Sequence, residues 1–210
     1  MPAPQKTELR IVAGSLRGRK LTCVVHPGMR PTPQMVREAL FSILGNAVPG
    51  RVFYDIFAGT GVNGLEAVSR GATRAALIER DAKLATDITK HAERFGVADK
   101  VQVLRADAYR WAERWVPPVG GPVNLFLSPP FPDLQPDKVA GFMALVNGLL
   151  AKAPDESVLT IQAEDGFPVA DLPEPDLWDV REYSRNMLLF RVKGDGVEPP
   201  AGAGENGAVT

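Results

Sequence analysis

Three groups of residues in this 210-residue chain have the types and spacing to do chemistry. The first is Ser128-Pro129-Pro130-Phe131, which ends the apolar run Val123, Leu125, Phe126 and Leu127. Two successive prolines cannot donate ladder hydrogen bonds, so a buried strand must stop there and turn. The turn brings a hydroxyl, the Pro129 carbonyl and an aromatic ring to the carboxyl end of a strand, where open α/β sheets bind ligands. The second group is the glycine-rich stretch from Asp55 to Gly64, with Gly59, Gly61 and Gly64 at the spacing of a dinucleotide fingerprint. Such a turn lets a ligand approach bare backbone. The third is a pair of acids: Glu79 ends the next strand, placed to accept both hydroxyls of a ribose, and Asp107 follows the third, within reach of an adenine amine. Together they compose an adenosine site. A nicotinamide dinucleotide and S-adenosylmethionine both fit it, but Asp55 beside the turn disfavours a pyrophosphate and suits an ammonium or a water network.

These groups need a scaffold that places strand ends side by side, and the hydropathy pattern supplies one. Strand-like segments at Val52 to Phe57, Ala75 to Glu79, Val101 to Ala106 and Val158 to Ala163 alternate with helical segments at Val62 to Ser69, Asp81 to Phe95, Ala108 to Trp115 and Pro136 to Leu150. That alternation predicts an α/β fold with a mostly parallel, doubly wound sheet. Val180 to Tyr183 and Met187 to Val192, joined by Ser184-Arg185-Asn186, predict an antiparallel pair at its end. Ahead of the alternation, RIVAGSLRGRKLTCVV predicts a hairpin with Arg17, Arg19 and Lys20 at or near its turn. A helix follows, with Thr32 as N-cap, Pro33 at its first position, an apolar face of Met35, Val36, Ala39, Leu40, Ile43 and Leu44, and Gly45 at its close. The expected organisation is a flexible N-terminus over 1–8, a basic hairpin-and-helix extension over 9–50, the main domain over 51–193 and a disordered Gly/Pro/Ala-rich tail over 194–210.

Charge is distributed unevenly. Through Arg51 there are eight Lys and Arg against two acids, and sixteen against twenty-three afterwards. A basic segment on an otherwise acidic chain suits a phosphate-bearing partner, and Arg30, just before a helix N-terminus, is placed to help. The one cysteine, Cys23, cannot form an internal disulfide and is expected to be a small packed residue. No apolar run resembles a signal peptide or a membrane span, so the expected location is cytoplasmic. His26 and His91 lack partners at metal-ligand spacing, and no metal is expected.

RIVAGSLRGRKL, RPTPQMVREALFSIL, DIFAGTGVNGLEAVSRGA, LIERD and SPPF, in this order from about Leu9 to Lys193, resemble the RsmD family of bacterial 16S rRNA guanine-N2 methyltransferases. The resemblance implies a Rossmann-like class I methyltransferase fold, seven strands with an antiparallel last pair, carrying a small N-terminal β-hairpin extension. It implies S-adenosylmethionine bound by Asp55, Phe57, Ala58, Gly59, Thr60, Gly61, Gly64, Glu79, Arg80, Asp107 and Ala108. Catalysis falls to Ser128, Pro129, Pro130 and Phe131, and contact with 16S rRNA, in a small-subunit assembly particle, to Arg17, Arg19, Lys20, Arg30 and Thr32. The family has Asp or Asn where this chain has Ser128, which puts rate and substrate in question. Serine, two prolines and an aromatic residue nevertheless resemble the catalytic motif of cytosine-N4 DNA methyltransferases and RNA-cap trimethylguanosine synthases. Alternatives are an amine methyltransferase acting on DNA or protein, a catalytically weakened RNA-binding module, and an NAD(P)-dependent oxidoreductase.

Overall fold

The computed structural model describes residues 5–25 and 29–194. An antiparallel hairpin of β1 (Gln5–Arg10) and β2 (Lys20–Val25) leads into α1 (Gln34–Leu44). The alternating region follows as β3 (Val52–Asp55), α2 (Val62–Ser69), β4 (Arg74–Ile78), α3 (Ala82–Phe95), β5 (Val101–Leu104), α4 (Ala108–Arg114), β6 (Asn124–Leu127), α5 (Val139–Lys152) and β7 (Val158–Glu164). The chain ends in the antiparallel pair β8 (Asp179–Tyr183) and β9 (Asn186–Val192). The sheet order is β5-β4-β3-β6-β7-β9-β8, parallel from β5 to β7. This is a Rossmann-like, seven-stranded sheet in which β9 alone runs against the other strands, which makes the last pair antiparallel. The order turns back between β3 and β6, and the two loops that leave those strands share the crevice where such sheets bind ligands.

The β6 residues divide the core between two faces, because successive side chains of a strand point oppositely. Leu125 and Leu127 pack with α4 and α5, including Trp115, Phe142 and Val146. Phe126 packs on the other face with Val36, Leu40 and Phe41 of α1, beside Phe53 of β3 and Phe190 of β9. Helix α1 thus shares one core with the sheet. The hairpin adds Ile11, Leu16 and Leu21 to a third cluster with Leu65 and Ile88.

Four local expectations are corrected. Residues Gln5 to Glu8, expected to be frayed, pair with β2 from Val25 to Thr22, since the strand has a partner that sequence periodicity does not show. Thr32 is not the N-cap of α1: Pro33 holds that position without a side-chain bond. Met35 is 58% exposed, and Phe41 with the buried Arg37 takes its share of the inner face. The helix expected from Pro136 begins at Val139. His26, Met1 to Pro4 and residues 195–210 of the expected tail lie outside the described residues. His91 is packed against Phe95, with Nε2 3.1 Å from the Thr22 carbonyl. No helix among the described residues is long and apolar enough to cross a membrane.

The hairpin, α1 and α2 meet at one buried carboxylate. Glu66 Oε2 accepts from Val12 N at 2.8 Å, and Oε1 accepts from Ala13 N at 3.0 Å and Arg70 Nε at 2.8 Å. The buried Arg37 guanidinium lies 3.9 Å from Glu66 and donates to the Thr32 carbonyl at 3.1 Å and the Arg10 carbonyl at 2.7 Å. Glu66→Ala leaves Arg37 buried without its counter-charge and two backbone N–H groups without an acceptor. It is expected to cost about 3–5 kcal/mol in urea denaturation, with Glu66→Gln intermediate because one acceptor remains.

Candidate active site

The loops after β3, β4, β5, β6 and β7 enclose one cavity of about 820 Å³. It is lined by Glu79, Arg80, Asp107, Ala108 and Tyr109 at and after the ends of β4 and β5, by Phe57, Ala58, Gly59 and Thr60 after β3, and by Ser128, Pro129, Pro130 and Phe131 after β6. The sheet order explains why: β5, β4, β3 and β6 are neighbours in that sequence, so their carboxyl ends form a row. Arg30 and Thr32 reach the wall from the segment before α1, and Gln162, Glu164, Arg185 and Asn186 close the side beyond β6.

Each acid has a definite set of partners. Glu79 is buried, and its carboxylate accepts from Gly59 N and Asp81 N, both at 2.7 Å. Burial raises its pKa above the usual carboxylate range, and those two N–H groups offset part of that shift. Asp107 caps α4 by accepting from Arg110 N at 3.1 Å while also lining the cavity. Tyr109 donates to Asp133 Oδ2 at 2.8 Å and meets Phe57 edge-on, tying α4 to the 3₁₀ turn Phe131–Leu134. Burial, with the Asp133 carboxylate beside it, pushes the phenol upward and keeps it a donor.

Only one of the three motif glycines faces the ligand space. Gly59 lines the cavity with φ +52°, a left-handed conformation that glycine adopts without penalty. Gly61, at φ +74°, is packed against Ile88: a Cβ there would sit 2.7 Å from its side chain, and at Gly64 2.7 Å from Leu77. The N–H groups of the three are already committed to Glu79, the Ala58 carbonyl and Asp55 respectively. A pyrophosphate cradle needs those donors, so the turn does not fit a nicotinamide dinucleotide. It fits S-adenosylmethionine, whose adenosine needs acceptors and close backbone approach rather than a ring of N–H groups.

Three placements differ from the expected site. Thr32 lines the cavity but is buried, and its hydroxyl donates to Gln162 Oε1 at 2.7 Å and accepts from Asn63 Nδ2 at 3.1 Å, so its side-chain bonds are made inside the protein. Arg17, Arg19 and Lys20 do not line the cavity. Arg19 lies over Phe95, at the end of the fourteen-residue α3 remote from the cavity, roughly 20 Å away at the helical rise. Lys20 pairs with Glu8 at 2.8 Å, and Arg30 pairs with Glu164 at 2.5 Å across the cavity wall. Gln162 and Asn186 are among the wall residues missed by inspection of the sequence, because Gln162 lies within a strand-like segment, Asn186 in the link between two others, and neither carries a motif.

Asp55 is also displaced from its expected role. It is fully buried, does not line the cavity, and accepts only from Gly64 N at 3.3 Å, leaving Oδ1 without a partner among the described residues. Burial pushes its carboxyl up to about 7, against the weaker opposing pull of Gly64 N–H. The folded state therefore holds a proton that the unfolded chain releases near pH 4, and stability falls as pH rises from about 4 to 7. Asp55→Asn is expected to remove this loss, exceeding the wild type by on the order of 4 kcal/mol at pH 8 and converging with it below pH 4, as followed by thermal and urea unfolding.

The family model described as "Conserved hypothetical protein 95" matches residues 9–190. Over 189 residues the chain is 32% identical to "Ribosomal RNA small subunit methyltransferase D" of Escherichia coli, covering 88% of this chain and 89% of that one. The protein of the same name in Haemophilus influenzae is 33% identical over 191 residues, 89% and 94% of the two chains. Among solved structures, yhhF from E. coli aligns with a TM-score of 0.70 at 28% identity over 90% of this chain and 100% of that one. A T. thermophilus 16S rRNA N2 methyltransferase bound to AdoMet and guanosine aligns at 0.68 over 92% of this chain and 52% of that one, and at 21% identity shares the fold. With motifs, sheet order and relatives in agreement over the same residues, the chain belongs to the RsmD family.

Proposed function

We propose that this chain transfers a methyl group from S-adenosylmethionine to the exocyclic N2 amine of a guanine in 16S rRNA of the small ribosomal subunit. The observation that carries the proposal is the shared cavity, whose lining includes both the loop after β3 with Glu79 and Ser128-Pro129-Pro130-Phe131. When bound, S-adenosylmethionine supplies an electrophilic methyl on a sulfonium. Phe57, Ala58, Gly59, Thr60, Glu79, Arg80, Asp107 and Ala108 are the residues that would hold it. The relatives' names point to small-subunit rRNA as the acceptor.

The protein's own residues have a positional task. An exocyclic guanine amine is a poor nucleophile because its lone pair is delocalised into the ring, and acceptors for its hydrogens draw it toward a tetrahedral geometry. Ser128 Oγ and the Pro129 carbonyl are those acceptors. Phe131, 53% exposed and on the cavity wall, is the face on which an extruded base stacks. Holding amine and methyl donor in line removes roughly 7–11 kcal/mol of barrier in favourable cases, so no strong base is needed. The RNA backbone would reach from Arg30 at the cavity to the basic turn of Arg17 and Arg19, along the face of α3, with contacts that weaken as salt rises.

The test is tritiated methyl transfer to deproteinised 16S rRNA, partly assembled small subunits and DNA, followed by mass-spectrometric identification of the product nucleoside. N2-methylguanosine in rRNA is expected; label in DNA alone overturns the proposal. Phe131→Ala is expected to lower kcat/KM for RNA by about 5–150-fold, the range of one lost base–aromatic stack. Its affinity for S-adenosylhomocysteine should change by less than about twofold, because Phe131 is not among the residues that would hold that ligand.

A further inference from the structure

Ser128 differs from an aspartate or asparagine in one chemical respect that matters here: its oxygen carries a proton. A serine hydroxyl pointing its proton at an incoming amine hydrogen repels it, whereas one pointing its proton elsewhere offers lone pairs. Acting as an acceptor therefore requires a second group that takes the proton, and the structure holds one beside Ser128.

Strands β6 and β7 are paired in parallel, with Leu127 opposite Ile161, so Ser128 and Gln162 follow side by side at the sheet's ligand end. Gln162 is buried and lines the cavity. Its Oε1 accepts from Thr32 Oγ1 at 2.7 Å and lies 3.4 Å from Ser128 Oγ, which donates to it. The longer contact sets the direction of the Ser128 proton more than it adds binding strength, and bonds of this kind commonly shorten when a ligand fills the site. The polarity runs consistently through the chain of groups. Asn63 Nδ2 donates to Thr32, which leaves the Thr32 proton for Gln162 Oε1, while Gln162 Nε2 donates to Asn186 Oδ1 at 3.3 Å. The amide oxygen is thereby held toward both hydroxyls and its nitrogen turned away from them. Asn186 and Thr32 come from β9 and the segment before α1, so three parts of the chain fix one amide.

We infer that Gln162 is a positioning residue that takes the Ser128 hydroxyl proton and makes Ser128 Oγ an acceptor, so that serine and glutamine together do what a single carboxylate or carboxamide does elsewhere. The inference rests on the reading of this site as one that methylates an amine, and extends it to substrate choice. The acceptor pair selects a nucleobase with an exocyclic amine over one without.

Guanosine and inosine, which differ by that amine alone, are the probes. Their affinities are measured by NMR titration of the protein saturated with S-adenosylhomocysteine. The wild type is expected to bind guanosine about five- to tenfold more tightly than inosine, the effect of one to two hydrogen bonds. Gln162→Leu should bring that ratio to within twofold of one, and Gln162→Glu, which still accepts from both hydroxyls, should keep it. Placed in a Ser128→Asn background, Gln162→Leu should leave the preference intact, because the asparagine carbonyl has no proton to redirect. Absence of a wild-type preference, an undiminished ratio in Gln162→Leu, or equal loss in both backgrounds overturns the inference. Methylation of 16S rRNA by the wild type, measured separately, decides the underlying reading on its own.

Discussion

Removing a carboxylate from water is costly unless it is paired and fully hydrogen-bonded, and Glu66 meets that demand in a way that organises the whole N-terminal half. Its two oxygens collect the backbone of Val12 and Ala13, the Arg70 side chain and the charge of Arg37. The hairpin turn is held further down the same helix, where Leu16 N donates to Ser69 Oγ and Ser15 N to the Ser69 carbonyl. Arg37, held by Glu66, in turn holds the carbonyls of Arg10 and Thr32. The start of α1 cannot shift without breaking this set.

From there the constraint reaches the cavity. With the Thr32 carbonyl fixed by Arg37, the Thr32 hydroxyl meets Gln162 on β7, and Gln162 stands beside Ser128 on the neighbouring strand. A structural ion pair on the hairpin side of α2 and the Ser128 hydroxyl at the end of β6 are thus linked through two residues. Asn63, also on α2, joins the same network through Thr32. Helix α2 therefore serves both ends: its first turn borders the ligand space and its last turn anchors the hairpin.

The same geometry separates two kinds of basic residue. Arg30 stands at the cavity, paired with Glu164, where a phosphate would have to compete for it. Arg19 is carried to the opposite end of α3, over Phe95, by the length of β2 and the anchoring of the hairpin turn on Ser69. The hairpin thus carries its cations away from the cavity that Arg30 borders.

Much of the fold was legible in the sequence. Alternating hydropathy marks the strands and helices, two prolines end β6, and Asp81 caps α3 with bonds to Lys83 N and Leu84 N. The position of Phe131 was legible for the same reason: no strand can continue past Pro129 and Pro130. These are local effects, decided by residues a few positions apart. What remained hidden depends on partners far along the chain. Thr32 looks like a helix cap until Gln162, 130 residues away, takes its proton. Asp55 looks like a ligand until the fold buries it behind the glycine turn, and Gly61 and Gly64 look like ligand contacts until Ile88 and Leu77 fill the space beside them. By itself the sequence determined the family, the sheet and the stop at β6, because hydropathy period, backbone dihedrals and missing donors act over a few residues. Only the tertiary structure decided which polar atoms face the ligand, because burial and the direction of a hydroxyl proton depend on what the rest of the chain brings alongside.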